Sequence, residues 1–318
     1  MVLLMPPAEG NPLAFYLVEP SDMSIVSGKW VTVVIALNGE ADRVVIVRNK
    51  NEMEDVSVSA QAKYLCRTIG IGIGLNEIAV KVTKGGSAIE AKKISVFCES
   101  GLLKKEALAP RQFQKMPFHR KEKEEVCRPC HNMESDGKDP TPDKPGLSLC
   151  RHCHERTISS QYVHGPVATW TCYKCHNKDS APAKYVTLQP DSSLCFSCHT
   201  DIKAQWAQKK YVHGPTATGK CTICHSPHGS DTKFFLRKAP WNLCVSCHEE
   251  MGKNVHKFKL YALLDDGHPT RGVKDPGAPW RVLSCASCHN PHASNVGSFL
   301  SVDSGDMLYA FCNKCHNK

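Results

Sequence analysis

The chain has 318 residues, enough for two or three domains, and 40 Lys and Arg against 31 Asp and Glu give it a formal charge of +9. Only 7% of residues are aromatic, and the lack of any 18-residue apolar run excludes a membrane-spanning helix. Long apolar runs are scarce in the C-terminal part, which excludes a core built there from side chains alone.

Residues 1–12 read as an irregular leader. Met1-Val-Leu-Leu-Met5 lacks a basic start, is too short for the apolar centre of an export signal, and meets Pro6-Pro7. From Pro12 to about Ser100 the pattern is β. Candidate strands are Ala14–Val18, Trp30–Leu37, Arg43–Arg48, Val56–Ala60, Lys63–Arg67, Asn76–Val82 and Ala88–Phe97. They are rich in Val and Ile and are punctuated by Asn38-Gly39, Gly74 and Gly85-Gly86. About seven short strands in roughly 90 residues predict a small all-β, immunoglobulin-like sandwich over 1–100. Gly74-Leu-Asn-Glu-Ile-Ala-Val80 resembles bacterial immunoglobulin-like modules. Cys66 and Cys98 each end a candidate strand, and in an oxidising compartment a disulfide tying the last strand to its neighbour is expected. Two buried thiols are the alternative.

Residues 101–126 read as a charged linker with Lys104, Lys105, Arg111, Lys115 and the run His119-Arg-Lys-Glu-Lys-Glu-Glu125. Beyond it, from 127 to 318, Cys-x-x-Cys-His occurs eight times. The cysteine pairs are Cys127/Cys130, Cys150/Cys153, Cys172/Cys175, Cys195/Cys198, Cys221/Cys224, Cys244/Cys247, Cys285/Cys288 and Cys312/Cys315. The histidines that follow them are His131, His154, His176, His199, His225, His248, His289 and His316. This is the attachment motif of c-type haem. Two thiols at this spacing form thioethers to the vinyl groups on one porphyrin edge, and the adjacent His ligates the iron as its proximal ligand. Zinc is the rival. The 19 residues between Cys130 and Cys150, and likewise between Cys175 and Cys195, fit a zinc ribbon. A four-Cys zinc site has no use for the His after every second Cys, and the last pair encloses 23 residues.

The motifs come in pairs. First-cysteine separations within a pair are 23, 23, 23 and 27, and between pairs 22, 26 and 41. Tyr162-Val-His-Gly-Pro-Val-Ala-Thr169 and Tyr211-Val-His-Gly-Pro-Thr-Ala-Thr218 are near copies. Pro227-His228 and Pro291-His292 follow the first motifs of the third and fourth pairs. Four two-haem repeats over roughly 115–160, 161–205, 210–255 and 265–318 are the economical reading. On these elements the chain resembles the doubled Cys-x-x-Cys-His multihaem cytochromes. Pair one departs with Pro117-Phe-His119, pair two with Asn177-Lys-Asp179, and pair four with Gly267-His-Pro269 and a longer loop. The resemblance implies an irregular, short-helix domain whose eight covalent haem c groups form most of the core.

Of 16 His, eight lie outside the motifs: His119, His152, His164, His213, His228, His256, His268 and His292. Eight haems with one distal His each need that number. Two axial His make a six-coordinate, low-potential haem with no substrate site, so electron transfer is expected rather than catalysis. His152 is the weakest candidate, since it lies inside its own attachment loop. Met133 and Met251 are the methionine alternatives. Eight haems of net charge about −1 each bring the oxidised molecule to about +1 and the reduced one to about −7, which removes the motive for a nucleic-acid partner.

Covalent haem attachment takes place outside the cytoplasm, so an exported protein at the cell surface, outside the cell, or in the periplasm is expected. Either the numbering begins at the mature protein or the true start is missing. The expected partners are other redox proteins, extracellular acceptors, or further copies of the chain in a filament, as the resemblance to extracellular cytochrome filament subunits implies. A discrete electron carrier and a multihaem reductase of nitrogen or sulfur oxyanions are the alternatives. The reductase needs an open haem, often marked by a proximal Lys, and here all eight proximal residues are His.

Overall fold

The computed structural model describes residues 15–38, 41–100, 102, 108–134, 137–141, 148–253, 256, 268–301 and 308–316. The expected leader 1–12, Ala14, Gly39, Lys104, Lys105 and Gly267 lie outside the described residues. The chain divides into two compact units, Met1–Lys123 and Glu124–Lys318.

Unit one is an all-β sandwich. Its strands are β1 (Phe15–Glu19), β2 (Ser24–Ser27), β3 (Trp30–Leu37), β4 (Arg43–Arg48), β5 (Asn51–Ser57), β6 (Tyr64–Gly70), β7 (Gly74–Lys84), β8 (Ser87–Glu99) and β9 (Gln114–Lys115). One sheet has the order β1-β3-β6 and the other β5-β4-β7-β8-β2-β9. Period-two alternation sends Val33 and Ile35 of β3, Val44 and Ile46 of β4, and Ile78, Val80 and Val82 of β7 into one core, all fully buried. The β7–β8 turn uses Gly85 and Gly86, at φ 57° and 80°, the left-handed backbone that a two-residue hairpin requires.

Two strands lie outside the seven that the sequence predicts. β2 lies beside β8 in parallel, and Gln114–Lys115 pairs with β2 in the stretch read as a linker. Neither carries an apolar alternation, because each is short and sits at or near a sheet edge. β5 begins at Asn51, earlier than Val56, because it is an edge strand rich in charge.

Cys66 and Cys98 lie on different sheets, and no bond joins them. β6 alternates so that Leu65 faces the core and Cys66 faces out, while Cys98 of β8 is buried in the core. The Cys98 thiol donates to Gly28 O at 3.2 Å. The strand neighbours of β8 are β7 and β2, so the expected tie from the last strand to its neighbour does not run through Cys66.

Asn76 is 1% exposed and holds the turn before β7. Its amide donates to Gly72 O at 2.8 Å and Gly74 O at 3.0 Å, and its side-chain oxygen accepts from Gly72 N at 3.0 Å. Asn76→Ala strands these backbone groups in a buried place and is expected to cost the sandwich about 1–3 kcal/mol, read as a lowered denaturation midpoint.

Unit two is built of short helices and two-residue ladders. Its helices run from four residues, as in Arg151–His154, to nine in Leu308–His316. Its strands are β10 (Tyr162–Val163), β11 (His176–Asn177), β12 (Val186–Thr187), β13 (Tyr211–Val212), β14 (Gly229–Ser230), β15 (Lys274–Asp275), β16 (Ala278–Val282) and β17 (Ala293–Ser294). Among the described residues the continuous apolar core belongs to unit one, while buried apolar side chains of unit two, such as Trp170, Leu243 and Leu283, are scattered. Glu124 is fully buried and takes a hydrogen-bonded ion pair from Lys184 at 2.8 Å.

Candidate functional site

In six of the Cys-x-x-Cys-His motifs the five residues close a helical turn. The His backbone N–H donates to the first Cys carbonyl, at 2.9 Å for His154 and His248 and 3.0 Å for His199 and His225. One turn brings residues i, i+3 and i+4 to one face, so two thiols and an imidazole converge.

The fold then brings a second imidazole to at least six of these motif histidines. Ring centroids lie at 6.3 Å for His164–His199, 6.2 Å for His176–His228, 5.9 Å for His213–His248 and 5.8 Å for His225–His292. His256–His289 and His268–His316 both stand at 6.1 Å. Every pair joins a motif His to one outside the motifs. Two metal–nitrogen bonds of about 2 Å, plus about 1 Å from each nitrogen to its ring centre, make about 6 Å. The spacing therefore fits one iron between each pair, and the thiols beside it fit covalent haem.

Backbone carbonyls set the tautomers. His176 Nδ1 donates to Tyr185 O, His225 Nδ1 to Phe234 O and His289 Nδ1 to Ser298 O, each at 2.7 Å and nine residues on. A carbonyl only accepts, so Nδ1 carries the proton and Nε2 keeps its lone pair for a metal. Tyr185, Phe234 and Phe299 hold left-handed φ of 64°, 59° and 56° in these loops. That backbone strain, at non-glycine residues, aims the carbonyls. On the other side His164 Nδ1 donates to Pro227 O at 3.0 Å. Burial lowers the pKa values of His213, His228 and His256, and brings His292 to about 4. These rings are neutral at physiological pH, as metal ligation requires.

The distal histidines arrive in backbone-linked couples. β10 pairs with β14, and His164 N–H donates to His228 O at 3.1 Å. β13 pairs with β17, and His213 N–H donates to His292 O at 2.9 Å. His268 N–H donates to His256 O at 3.1 Å in the same way. Each couple serves two motifs. His164 caps the second motif of its own repeat, while its partner His228, from the next repeat, caps the first. His213 and His292 repeat this one step on, and His256 takes the Pro-His role in the last couple. Gly229, at φ 151°, sits where a Cβ would meet Tyr162 O at 2.5 Å, so this ladder closes only on glycine.

Thiols of successive motifs also meet. Cys150 and Cys172 share a hydrogen bond that holds the first thiol down, to about 5, and pushes the second up. Cys285 and Cys244 do the same, with Cys285 held down to about 7. Cys195, pushed up to about 12 by burial and by Cys221, lies with Cys221 and Asp191 inside a 4.8 Å cluster. Within repeats Cys175 feels Cys198, Cys224 feels Cys247 and Cys288 feels Cys315. Among the described residues Asp191–Cys195–Cys221 is the only group of three metal-ligand atoms, and no four-Cys zinc set forms.

His119, edge-on to Phe118 at 5.2 Å, lies eight residues before Cys127, as His164 and His213 lie before Cys172 and Cys221. His152 is exposed in its attachment loop. Met133 is half-buried and Met251 is 54% exposed, and neither stands in the His couples. The sequence offered the roster of distal histidines. The rule that assigns each to its motif is a product of β10–β14 and β13–β17, ladders too short for any periodic signal.

Comparison with known families matches the doubled CXXCH motif over residues 164–204, 213–253 and 278–318. These three matches support a multihaem c-type cytochrome with covalently bound haem c, acting in electron transfer. No curated protein matches. Among solved structures, the fibronectin(III)-like modules of Clostridium thermocellum CbhA are 17% identical, with a TM-score of 0.23, over 27% of this chain and 95% of theirs. An FMN-binding beta-glucuronidase from Facaelibacterium prausnitzii L2-6 is 12% identical, with a TM-score of 0.20, over 28% of this chain and 11% of its own. The extracellular domain of mouse leukocyte-associated immunoglobulin-like receptor 1 is 15% identical, with a TM-score of 0.22, over 26% and 92%. No described helix is long and apolar enough to cross a membrane.

Proposed function

We propose that the chain is an octahaem c-type cytochrome that conducts electrons along a row of His-ligated haems outside the cytoplasm, as the subunit of an extracellular filament. The observation that carries this reading is the set of six motif-to-distal His pairs at 5.8–6.3 Å. When bound, haem c supplies a reversible one-electron iron centre. The chain's residues do the rest. The six His pairs would each hold an iron through two imidazoles, which would leave it no place for substrate and favour a low potential. Carbonyl acceptors on Nδ1 raise imidazole basicity. Paired thiols from motif two to motif eight set neighbouring attachment edges side by side, in sequence order, which supports a continuous path.

The sheet order of unit one supports an immunoglobulin-like module, with β5 as an edge strand open to another copy. Its role is assembly in the filament, and other redox proteins and extracellular acceptors are the partners. Electron microscopy of the native protein, taken from the cell exterior, tests the filament. Regular filaments with a short axial repeat are the expected outcome, and discrete particles would reassign the chain as a diffusing carrier. The haem count tests the rest. Alkaline pyridine spectra should give eight haems per chain, and a count of three or four would confine haem to part of the array.

A further inference from the structure

We propose that the haem attached through Cys127, Cys130 and His131 has an exchangeable sixth site, open to small exogenous iron ligands such as carbon monoxide. The inference rests on the octahaem reading and singles out one haem of the eight.

A first-motif His is capped by the His three residues after the first-motif His of the next repeat. His228 stands so after His225 and caps His176, and His292 stands so after His289 and caps His225. For His131 that place is three residues after His176, and it holds Asp179. The segment is also folded otherwise. Instead of reaching a ladder with an earlier repeat, it closes on itself through β11 and β12, with Ser180 Oγ bridging Asn177 O at 2.9 Å and Ala183 O at 2.8 Å. Asp179 is 74% exposed and paired with Lys178 at 2.7 Å.

The histidine roll leaves little else. All 16 His are among the described residues, and the six pairs use twelve of them. His119, by its place eight residues before Cys127, belongs in sequence order with the second motif of its repeat, His154. That leaves His152. It is exposed, and among the described residues it stands in no ring pair, nor does His131. His131 also lacks, among the described residues, the Nδ1 bond nine residues on that its three counterparts share. Met133 follows His131 by two residues, a span of at most about 7 Å, too short to pass round a porphyrin to its far face.

The test is a carbon monoxide titration of the dithionite-reduced full chain, beside a haem count on the same sample. The expected result is eight haems and one carbon monoxide per chain. Cys127→Ser with Cys130→Ser should leave seven haems and no carbon monoxide binding. His152→Ala should leave the stoichiometry at one. Eight haems with no carbon monoxide bound would overturn the inference, pointing to a ligand from another copy of the chain. A rise from zero to one in His152→Ala would overturn it by identifying His152 as the ligand. So would carbon monoxide binding retained in the seven-haem variant. Should that variant not fold, His228→Ala gives the calibration: two per chain are expected, and one there with none in the parent overturns the inference. A haem count below eight would instead remove the octahaem reading beneath it.

Discussion

Replacing Cys221 and Cys224 by serine is expected to leave seven covalent haems and to cut electron throughput along the chain by orders of magnitude. The fifth motif is a joint in the thiol array. Cys221 lies against Cys195 of the fourth motif, and Cys224 is close enough to Cys247 of the sixth to feel its charge. Tunnelling between redox centres falls off exponentially with distance, so one missing centre in a single-file row doubles a gap and dominates the whole rate. The same exchange at Cys312 and Cys315 removes a terminal haem and should leave transfer among the first seven near its parent rate. Rapid-mixing reduction, following the slowest phase in each variant beside a haem count, checks both. Equal slowing at the middle and the end would mean that the haems do not work in series.

The second large effect is expected at His292. Its ring stacks on His225 at 5.8 Å and on Trp206 at 4.5 Å, and its carbonyl accepts from His213 N at 2.9 Å. Burial holds the ring neutral down to about 4. His292→Ala removes a ligand without removing the haem, so the haem on His225 should become five-coordinate. The readouts are one new high-spin haem per chain and one added carbon monoxide per chain. His292→Met, which keeps a sixth ligand, should stay low-spin and raise that haem's potential by on the order of 0.1–0.3 V. An unchanged low-spin spectrum in His292→Ala would show that His225 draws its partner from elsewhere.

In unit one the sandwich was legible where burial imposes a period of two. β3 and β4 run over the residues that their Val and Ile alternation predicts, Trp30–Leu37 and Arg43–Arg48. β2 and β9 escaped, because four and two residues at a sheet margin bury too little to leave a pattern. Cys66 and Cys98 show the limit of spacing arguments. Both fall at the end of an expected strand, yet Cys66 lies inside β6 on its outward face while Cys98 of β8 faces the core.

In unit two the division follows the range of the interactions. Haem attachment is local chemistry: two thiols and an imidazole within one helical turn, so five residues are enough to mark a site for covalent haem c and the proximal ligand expected there. The number of distal histidines is likewise a property of composition. Which distal His meets which motif is not, because it depends on chain segments from different repeats meeting side by side. Two-residue ladders at β10–β14 and β13–β17 decide it, through backbone hydrogen bonds whose one side-chain demand in the first ladder is the glycine at 229. The order of neighbouring thiols and the course of each ladder are likewise tertiary outcomes, although the departure at Asp179 already stands in the sequence. They follow from where each repeat's tail travels, and backbone hydrogen bonding directs that path without writing a signature in the residues that follow it.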